Sequence, residues 1–484
     1  MARIRTNAIY SMAYQIIRLA FPLITYPYVA RVLGPDGIGI VSYTASIATM
    51  LASFALLGIP VFGTRAISRV RDDDETLKSV NSELTLIALF LSLFAAGLFL
   101  SLPHFGILRI PDRGVHLMFV ALILFNAAKQ DWYFQGLERF RYTTIRNLVV
   151  RIITASAIFL LVRSSEDVLA YAFLWVLGSV LGGVVNLFQV AKETGFTWRP
   201  VQAFRLLPAI GPSAAIVLVG SLYAGIDTLM LGNLVADNGA SVGYYSLAGR
   251  LLRIIGTVLG AATAAVVPRL ALYYSQGEHS KVIQLVSKNM EVSLFFALPA
   301  SLGMVILAPT VVRIFGGEAF MPAISTLQII AVQLPVLAVG AIVGSQVLYA
   351  RDREKRLILS TGISLAIGIV LNFVLIPIAT HVGAALATTV TRLIETLLQV
   401  ALGWSVVRPA IRDKRVIRVL YAAGIWSAIV VPTGLFFNVN HSMVSMITFV
   451  VSTAVLYAIV SLIVSVPIVV SLKGWIFSRG KHDY

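Results

Sequence analysis

The sequence predicts an all-α polytopic membrane protein with about fourteen transmembrane helices. Three observations carry this. The 484 residues are 58% hydrophobic and 12% charged, with mean hydropathy +0.88, whereas soluble domains carry about 25% charged residues. Apolar stretches of roughly twenty residues, the length that crosses a bilayer as a helix, follow one another along almost the whole chain. The loops between them alternate between strongly basic and nearly uncharged, as expected of a chain that crosses a membrane repeatedly.

Six stretches open the chain: Ala8–Ala30, Ile38–Phe62, Leu84–Leu108, Val115–Phe134, Ile145–Val162 and Val168–Ala191. Six more follow: Leu206–Val235, Val242–Val267, Val292–Phe315, Pro322–Tyr349, Leu357–Ile376 and Val382–Val407. Val416–Phe437 and Met443–Leu472 form a final pair. Three domains are expected: residues 1–200, residues 201–410, and residues 411–484 with the last two helices and a tail. The longer spans accommodate tilted or interfacial turns. No cleavable signal is expected, because the apolar run after the basic Met1–Asn7 reaches about Ala30 and exceeds a signal core.

The formal net charge is +16. In a soluble protein this would suggest nucleic acid; here the charges flank apolar spans, where topology and anionic headgroups explain them and no nucleic-acid partner is expected. With the N-terminus inside, 27 of the 38 basic residues fall in cytoplasmic segments, Arg146 among them, and five in outer loops: Arg31, Arg109, Arg113, Arg163 and Arg313. That asymmetry places both termini in the cytoplasm and favours an even helix number. The other six, Arg18, Lys129, Arg151, Arg250, Arg253 and Arg392, lie inside apolar stretches.

An intramembrane charge costs from about 2.5 to over 10 kcal/mol when isolated. Keeping six cations there predicts a wet, positive interior suited to an anionic cargo. Arg18 lies midway along the first helix, too deep to reach an interface easily. Arg250 and Arg253 are three apart and share a helix face, where two guanidinium forks match phosphate oxygens. Lys129 and Arg151 are further cargo candidates. Arg392 also qualifies, although Glu395 at i,i+3 offers it an ion pair. Asp227, Asp131 and Glu395 are the acids with a coupling or structural role. For Asp227, pairing with Arg250, proton carriage and ion binding all remain open.

Two short passages recur. Ile38-Gly39-Ile40-Val41-Ser42 resembles Val242-Gly243-Tyr244-Tyr245-Ser246, and Gly136–Arg141 resembles Ala350–Lys355 at the same topological position. Two parallel six-helix halves follow, a common transporter plan. Pro22 and Pro27 bend the first helix beyond Arg18. Gly178, Gly182 and Gly183 read as close helix packing. With no cysteine, disulfides and thiolate chemistry are excluded. The six histidines show no ligand spacing, so no metal and no cofactor is expected. There is no phosphate loop, nucleophile elbow or paired-carboxylate constellation, so an enzyme is not expected.

Pro22–Gly34, continued by Gly37-Ile38-Gly39, Leu57-Gly58-Ile59 and Arg65, resembles a signature of the Wzx-type polysaccharide flippases. Asp131–Phe140, followed by Arg146-Asn147, resembles a second hallmark. Asp227–Gly232 with Val242–Ser246 resembles a third, shared across the multidrug/oligosaccharidyl-lipid/polysaccharide exporter superfamily. The resemblance implies two six-helix lobes in a V-shaped arrangement plus two C-terminal helices. It implies that an undecaprenyl-diphosphate-linked oligosaccharide is flipped from the cytoplasmic to the outer leaflet of a bacterial or archaeal plasma membrane, by alternating access without ATP. Partners would be that lipid-linked oligosaccharide, membrane lipids, and a polymerase and other polysaccharide-assembly proteins. The alternatives are a lipid II flippase and a multidrug/cation antiporter of the same superfamily. The second fits less well, because a cationic drug would want an acidic interior.

Overall fold

The computed structural model describes residues 2–197, 204–264, 266–436 and 443–470. Side chains are described from Phe21 on, except at 204, 212–213, 215–216, 258, 261–262, 264, 434–436 and 443–444. Among the described residues the chain is helical throughout, with ten helical runs long and apolar enough to cross a membrane. The fold is that of an all-α multi-pass membrane protein. Two of the ten runs each carry two predicted spans, joined through a backbone break at Gly34 and at Ala379–Thr380. The chain divides into two compact units, Met1–Ser246 and Leu247–Tyr484.

In the first unit, α1 (Ala2–Leu56) turns at Gly34, whose φ of 69° with ψ of −177° is a conformation open essentially to glycine. Helices α2 (Ile59–Arg69) and α3 (Asp74–Ser101) follow, with Asp73 capping α3 by accepting the Glu75 and Thr76 amides at 3.1 and 3.2 Å. Helix α4 (Arg113–Leu124) tightens into a 3-10 turn, Phe125–Lys129. A left-handed Gln130 then opens the short α5 (Asp131–Gly136), before α6 (Phe140–Leu161), α7 (Val168–Glu193) and α8 (Leu207–Leu234). Trp132, Tyr133 and Phe134 of α5 are buried against Ile59, Ile67, Leu84 and Ile87 of α2 and α3. That apolar anchor fixes the turn carrying Lys129 and Asp131. Helix α9 (Ala240–Ala264) begins in this unit.

The second unit continues with α10 (Val267–Ser275) and the long α11 (His279–Gly316). Next come α12 (Ala323–Ala331), α13 (Gln333–Ile342), a π turn over Val343–Leu348 and a 3-10 turn over Tyr349–Arg351. Then follow α14 (Glu354–Leu402), α15 (Trp404–Ile411), α16 (Lys414–Phe436) and α17 (Met443–Ile463). Its core joins Val286, Met290 and Leu294 of α11 to Val419, Trp426 and Val430 of α16 and to Tyr457 of α17. The Trp426 indole N–H donates to the Thr453 carbonyl at 2.8 Å.

The second recurring passage is also a recurring backbone. The Glu138 amide donates to Gln135 O at 3.0 Å and the Arg139 amide to Phe134 O at 2.9 Å. The Asp352 amide donates to Tyr349 O at 3.0 Å and the Arg353 amide to Leu348 O at 2.9 Å. Both turns are Schellman motifs, with Glu138 at φ 56° and Asp352 at φ 55° in the left-handed region.

Candidate functional site

The first unit holds an open cleft of about 570 Å3 between α6, α7 and the turn before α5, reached by Phe21 of α1. Its chemistry begins with the broken helix. Gln130 is fully buried at φ 38°, a conformation that costs a non-glycine residue about 1–3 kcal/mol and persists only when its surroundings hold it. Two asparagines supply the hold. Asn81 of α3 donates to Gln130 Oε1 at 3.2 Å and accepts from the Trp132 indole at 3.1 Å. Asn186 of α7 donates to the Lys129 carbonyl and, at 3.1 Å, to Asp131 Oδ1. The break therefore presents Lys129 and Asp131 side by side at the cleft.

Arg146 stands opposite on α6. Its Nη2 donates to Asp131 Oδ1 at 3.0 Å and to Asn147 Oδ1 at 2.8 Å. Its Nη1 is buried and has no hydrogen-bond partner among the described residues. The Arg146 side chain is 7% exposed and that of Asp131 45%. Arg151, five residues further along α6, lies 5.3 Å from the centroid of the Phe21 ring, within cation–π range. Three cations, Lys129, Arg146 and Arg151, thus line the cleft with one carboxylate, an excess of two positive charges. Trp175, Leu174 and Ile158 make the apolar end.

Sequence reasoning singled out Lys129, Asp131 and Arg151, and the fold brings all three to one cleft. It missed Arg146, assigned to a cytoplasmic loop. The predicted stretch Ile145–Val162 begins one residue before Arg146, and helix α6, starting at Phe140, holds it nearly two turns in and buried. Charge near a helix start reads as cytoplasmic, whereas here Asp131 and Asn147 accept from the guanidinium and hold it inside. Asn186 was missed too; a lone asparagine within Val184-Val185-Asn186-Leu187-Phe188 was the available signal, because polar residues in membrane helices usually bond across to a neighbour. The glycines of α7 divide by role. Gly183 packs closely, since a Cβ there would lie 3.3 Å from the Ala128 and Lys129 backbone. At Gly182 a Cβ would meet only Arg146 Nε, at 3.9 Å, so this glycine keeps the cleft floor open.

The remaining candidates lie elsewhere. The Arg18 side chain is outside the described residues. Asp227 accepts the Tyr245 hydroxyl at 3.1 Å within the first unit. Arg250 and Arg253 sit one turn apart on α9, the former half-buried and the latter exposed, both in the second unit. Arg392 pairs with Glu395 at 3.2 Å on α14, and Glu395 also accepts from Thr361 at 2.9 Å and Gln399 at 3.3 Å. A second cleft, about 470 Å3 between α11, α16 and α17, is walled by Phe295, Phe296, Pro299, Trp426 and Tyr457 and offers an anion no charge.

Comparison with known proteins places this geometry in a family. Residues 4–273, more than half the chain, match the family model described as polysaccharide biosynthesis protein. The chain is 22% identical over 406 residues to a protein named as an O-antigen transporter in Escherichia coli (strain K12), covering 82% of this chain and 95% of that relative. It is 24% identical over 290 residues to a protein named as a low-salt glycan biosynthesis flippase in Haloferax volcanii, covering 59% of this chain and 60% of the relative. In fold it is similar to the solved structure of the lipid II flippase MurJ in an inward closed conformation, with TM-score 0.64 and 16% identity over 94% of this chain and 99% of that one. The chain belongs to the polysaccharide biosynthesis protein family.

Proposed function

We propose that the protein flips an undecaprenyl-diphosphate-linked oligosaccharide from the cytoplasmic to the outer leaflet of a bacterial or archaeal plasma membrane. The observation that carries this reading is the cleft lined by Lys129, Arg146 and Arg151 around the single carboxylate of Asp131. Three cations around one carboxylate suit a phosphate group, and at an effective dielectric of about 20 one unit-charge contact at 4 Å is worth about 4 kcal/mol. The relatives named as an O-antigen transporter and a glycan flippase support the same cargo class.

In this reading both termini are cytoplasmic, as the basic asymmetry of the loops supports. The two six-helix lobes, 1–200 and 201–410, exchange access between the leaflets, and a polymerase takes the delivered unit. Arg18 stands three positions before the cleft residue Phe21, the spacing of one helix face, and joins the cargo contacts. Arg250 and Arg253 serve the cargo later in its passage, while Asp227 acts in structure or coupling. Arg392 is committed to Glu395 and takes a structural part.

The test is a reconstituted flipping assay. Purified protein in liposomes carrying a fluorescent undecaprenyl-diphosphate oligosaccharide should move it between leaflets, and the combined substitution of Lys129, Arg146 and Arg151 by glutamine should abolish the movement in folded protein. Wild-type rates in that variant would overturn the reading. Lipid II in place of the oligosaccharide separates the peptidoglycan alternative: faster movement of lipid II would assign the protein to that cargo instead.

A further inference from the structure

We propose that Asp131 is a built-in competitor for the cargo's diphosphate, occupying Arg146 in the empty protein and leaving when the diphosphate arrives. The proposal rests on the reading of the cleft as the cargo site and adds the residue that sets its affinity. Arg146 is the fixed partner: its side chain is 7% exposed, and Asn147 Oδ1 accepts from both Nη2, at 2.8 Å, and Nε, at 3.3 Å. Asp131 is the releasable one. Its side chain is 45% exposed and shares a single oxygen, Oδ1, between Arg146 and Asn186. Arg146 therefore offers an incoming anion its Nη2 once Asp131 turns outward to water, while Nη1 stays buried. The break at Gln130 does not depend on the carboxylate, because Asn186 still holds the Lys129 carbonyl and Asn81 holds Gln130.

The exchange has a functional logic. A transporter must release its cargo, and three desolvated cations alone would hold a diphosphate tightly. A carboxylate tethered beside them returns to Arg146 as the diphosphate leaves, so the guanidinium is not left buried and bare. Asp131 would thereby weaken binding and speed release. A purely structural Asp131 has the opposite signature, since removing it would loosen Arg146 and weaken anion binding.

The sign of the effect on inorganic diphosphate binding decides between them, measured calorimetrically on purified full-length protein. Asp131→Asn keeps the shape and the link to Asn186 while removing the charge. It should tighten diphosphate binding by about tenfold, as removal of one nearby like charge implies, and the gain should shrink at high salt. Asn147→Asp, which adds a second carboxylate to the same guanidinium, should weaken binding. Flipping by Asp131→Asn should slow at saturating cargo while half-saturation falls. Unchanged or weaker diphosphate binding in Asp131→Asn, or no loss in Asn147→Asp, would overturn the proposal. Should Asp131→Asn fail to fold, the Asn147→Asp arm decides alone. Failure of the underlying reading looks different: diphosphate binding would be absent, or indifferent to glutamine at Lys129, Arg146 and Arg151.

Discussion

Gly39 of α1 and Gly243 of α9 pack backbone against backbone: a Cβ on Gly39 would lie 3.0 Å from the Gly243 amide nitrogen and would run into the Gly239 carbonyl. A Cβ on Gly243 would in turn run into the Pro35 carbonyl. These are the central glycines of the two recurring Gly-containing passages, so the repeat meets itself at this contact. One turn along α1, Tyr43 ties the same helix to α8 by donating to Asn233 Oδ1 at 2.9 Å.

Alanine at either glycine should therefore force α1 away from the start of α9. Overpacking of this kind costs about 1–3 kcal/mol. Thermal unfolding in detergent should show the loss for Gly39→Ala and for Gly243→Ala. Because both relieve the same contact, their combination should cost less than the two together. Additive losses would mean that the glycines act separately.

The two roles assigned to the α7 glycines separate cleanly. Gly182→Val should leave the unfolding temperature near wild type, since the space above it is open except for Arg146 Nε at 3.9 Å, yet fill the cleft floor and abolish flipping without removing a charge. Gly183→Val should instead destabilise by about 1–3 kcal/mol, because its Cβ presses on backbone that cannot yield. Flipping assays beside unfolding curves check both, and a flipping-competent Gly182→Val would remove the cleft from the cargo path.

Removing the guanidinium should be felt by the fold as well as the cargo. Arg146→Ala leaves Asp131 without its charged partner, and losing a hydrogen bond to a charged group costs about 1.5–3 kcal/mol. The half-exposed carboxylate can turn to water, which puts the expectation at the low end. Arg146→Lys keeps the charge but not the fork, so it should restore most of the stability and less of the flipping. A variant ranked better in flipping than in stability would contradict this.

An acid-sensitive device lies at the loop before α7. Asp167 accepts the Arg163 amide at 2.8 Å, the Ser164 amide at 2.7 Å and the Ser164 hydroxyl at 3.0 Å. These bonds, the Arg163 amide first, hold its carboxyl below the ordinary value of 3.8. A carboxylate lowered on folding stabilises above its unfolded value and loses that contribution as pH falls through the folded one. Asp167→Asn should lower the unfolding temperature at neutral pH and flatten the acid limb of the profile below about pH 4. An unchanged acid limb would assign the acid sensitivity to other groups.

Much of the fold was legible because membrane spans announce themselves by length: all fourteen predicted stretches overlap described helix. The breaks were less legible. Gly34 sits before Pro35 and reads as a loop, yet helical backbone runs up to it from both sides. The cleft was half legible. Lys129, Asp131 and Arg151 stood out as charges in apolar surroundings, whereas Arg146 was hidden by belonging to a basic run, Arg139 to Arg146, that looks cytoplasmic. Its burial depends on Asp131 fifteen residues away and on Asn186 forty residues further along, pairings that no local window contains. Trp175 and Phe21 line the cleft but read as two more apolar residues in apolar helices.

The paired Schellman turns have one more consequence. Superposing the two by Glu138 on Asp352 sets Lys129, Asp131 and Arg146 against Val343, Ser345 and Ser360. The turn is the same in both places, down to a left-handed residue other than glycine, while these three charges are present in one only. The same turn therefore serves two ends, holding these charges at a cleft in the first unit and none of the three in the second. Building Val343→Lys and Ser360→Arg into the second turn would ask whether that backbone alone suffices to carry an anion site.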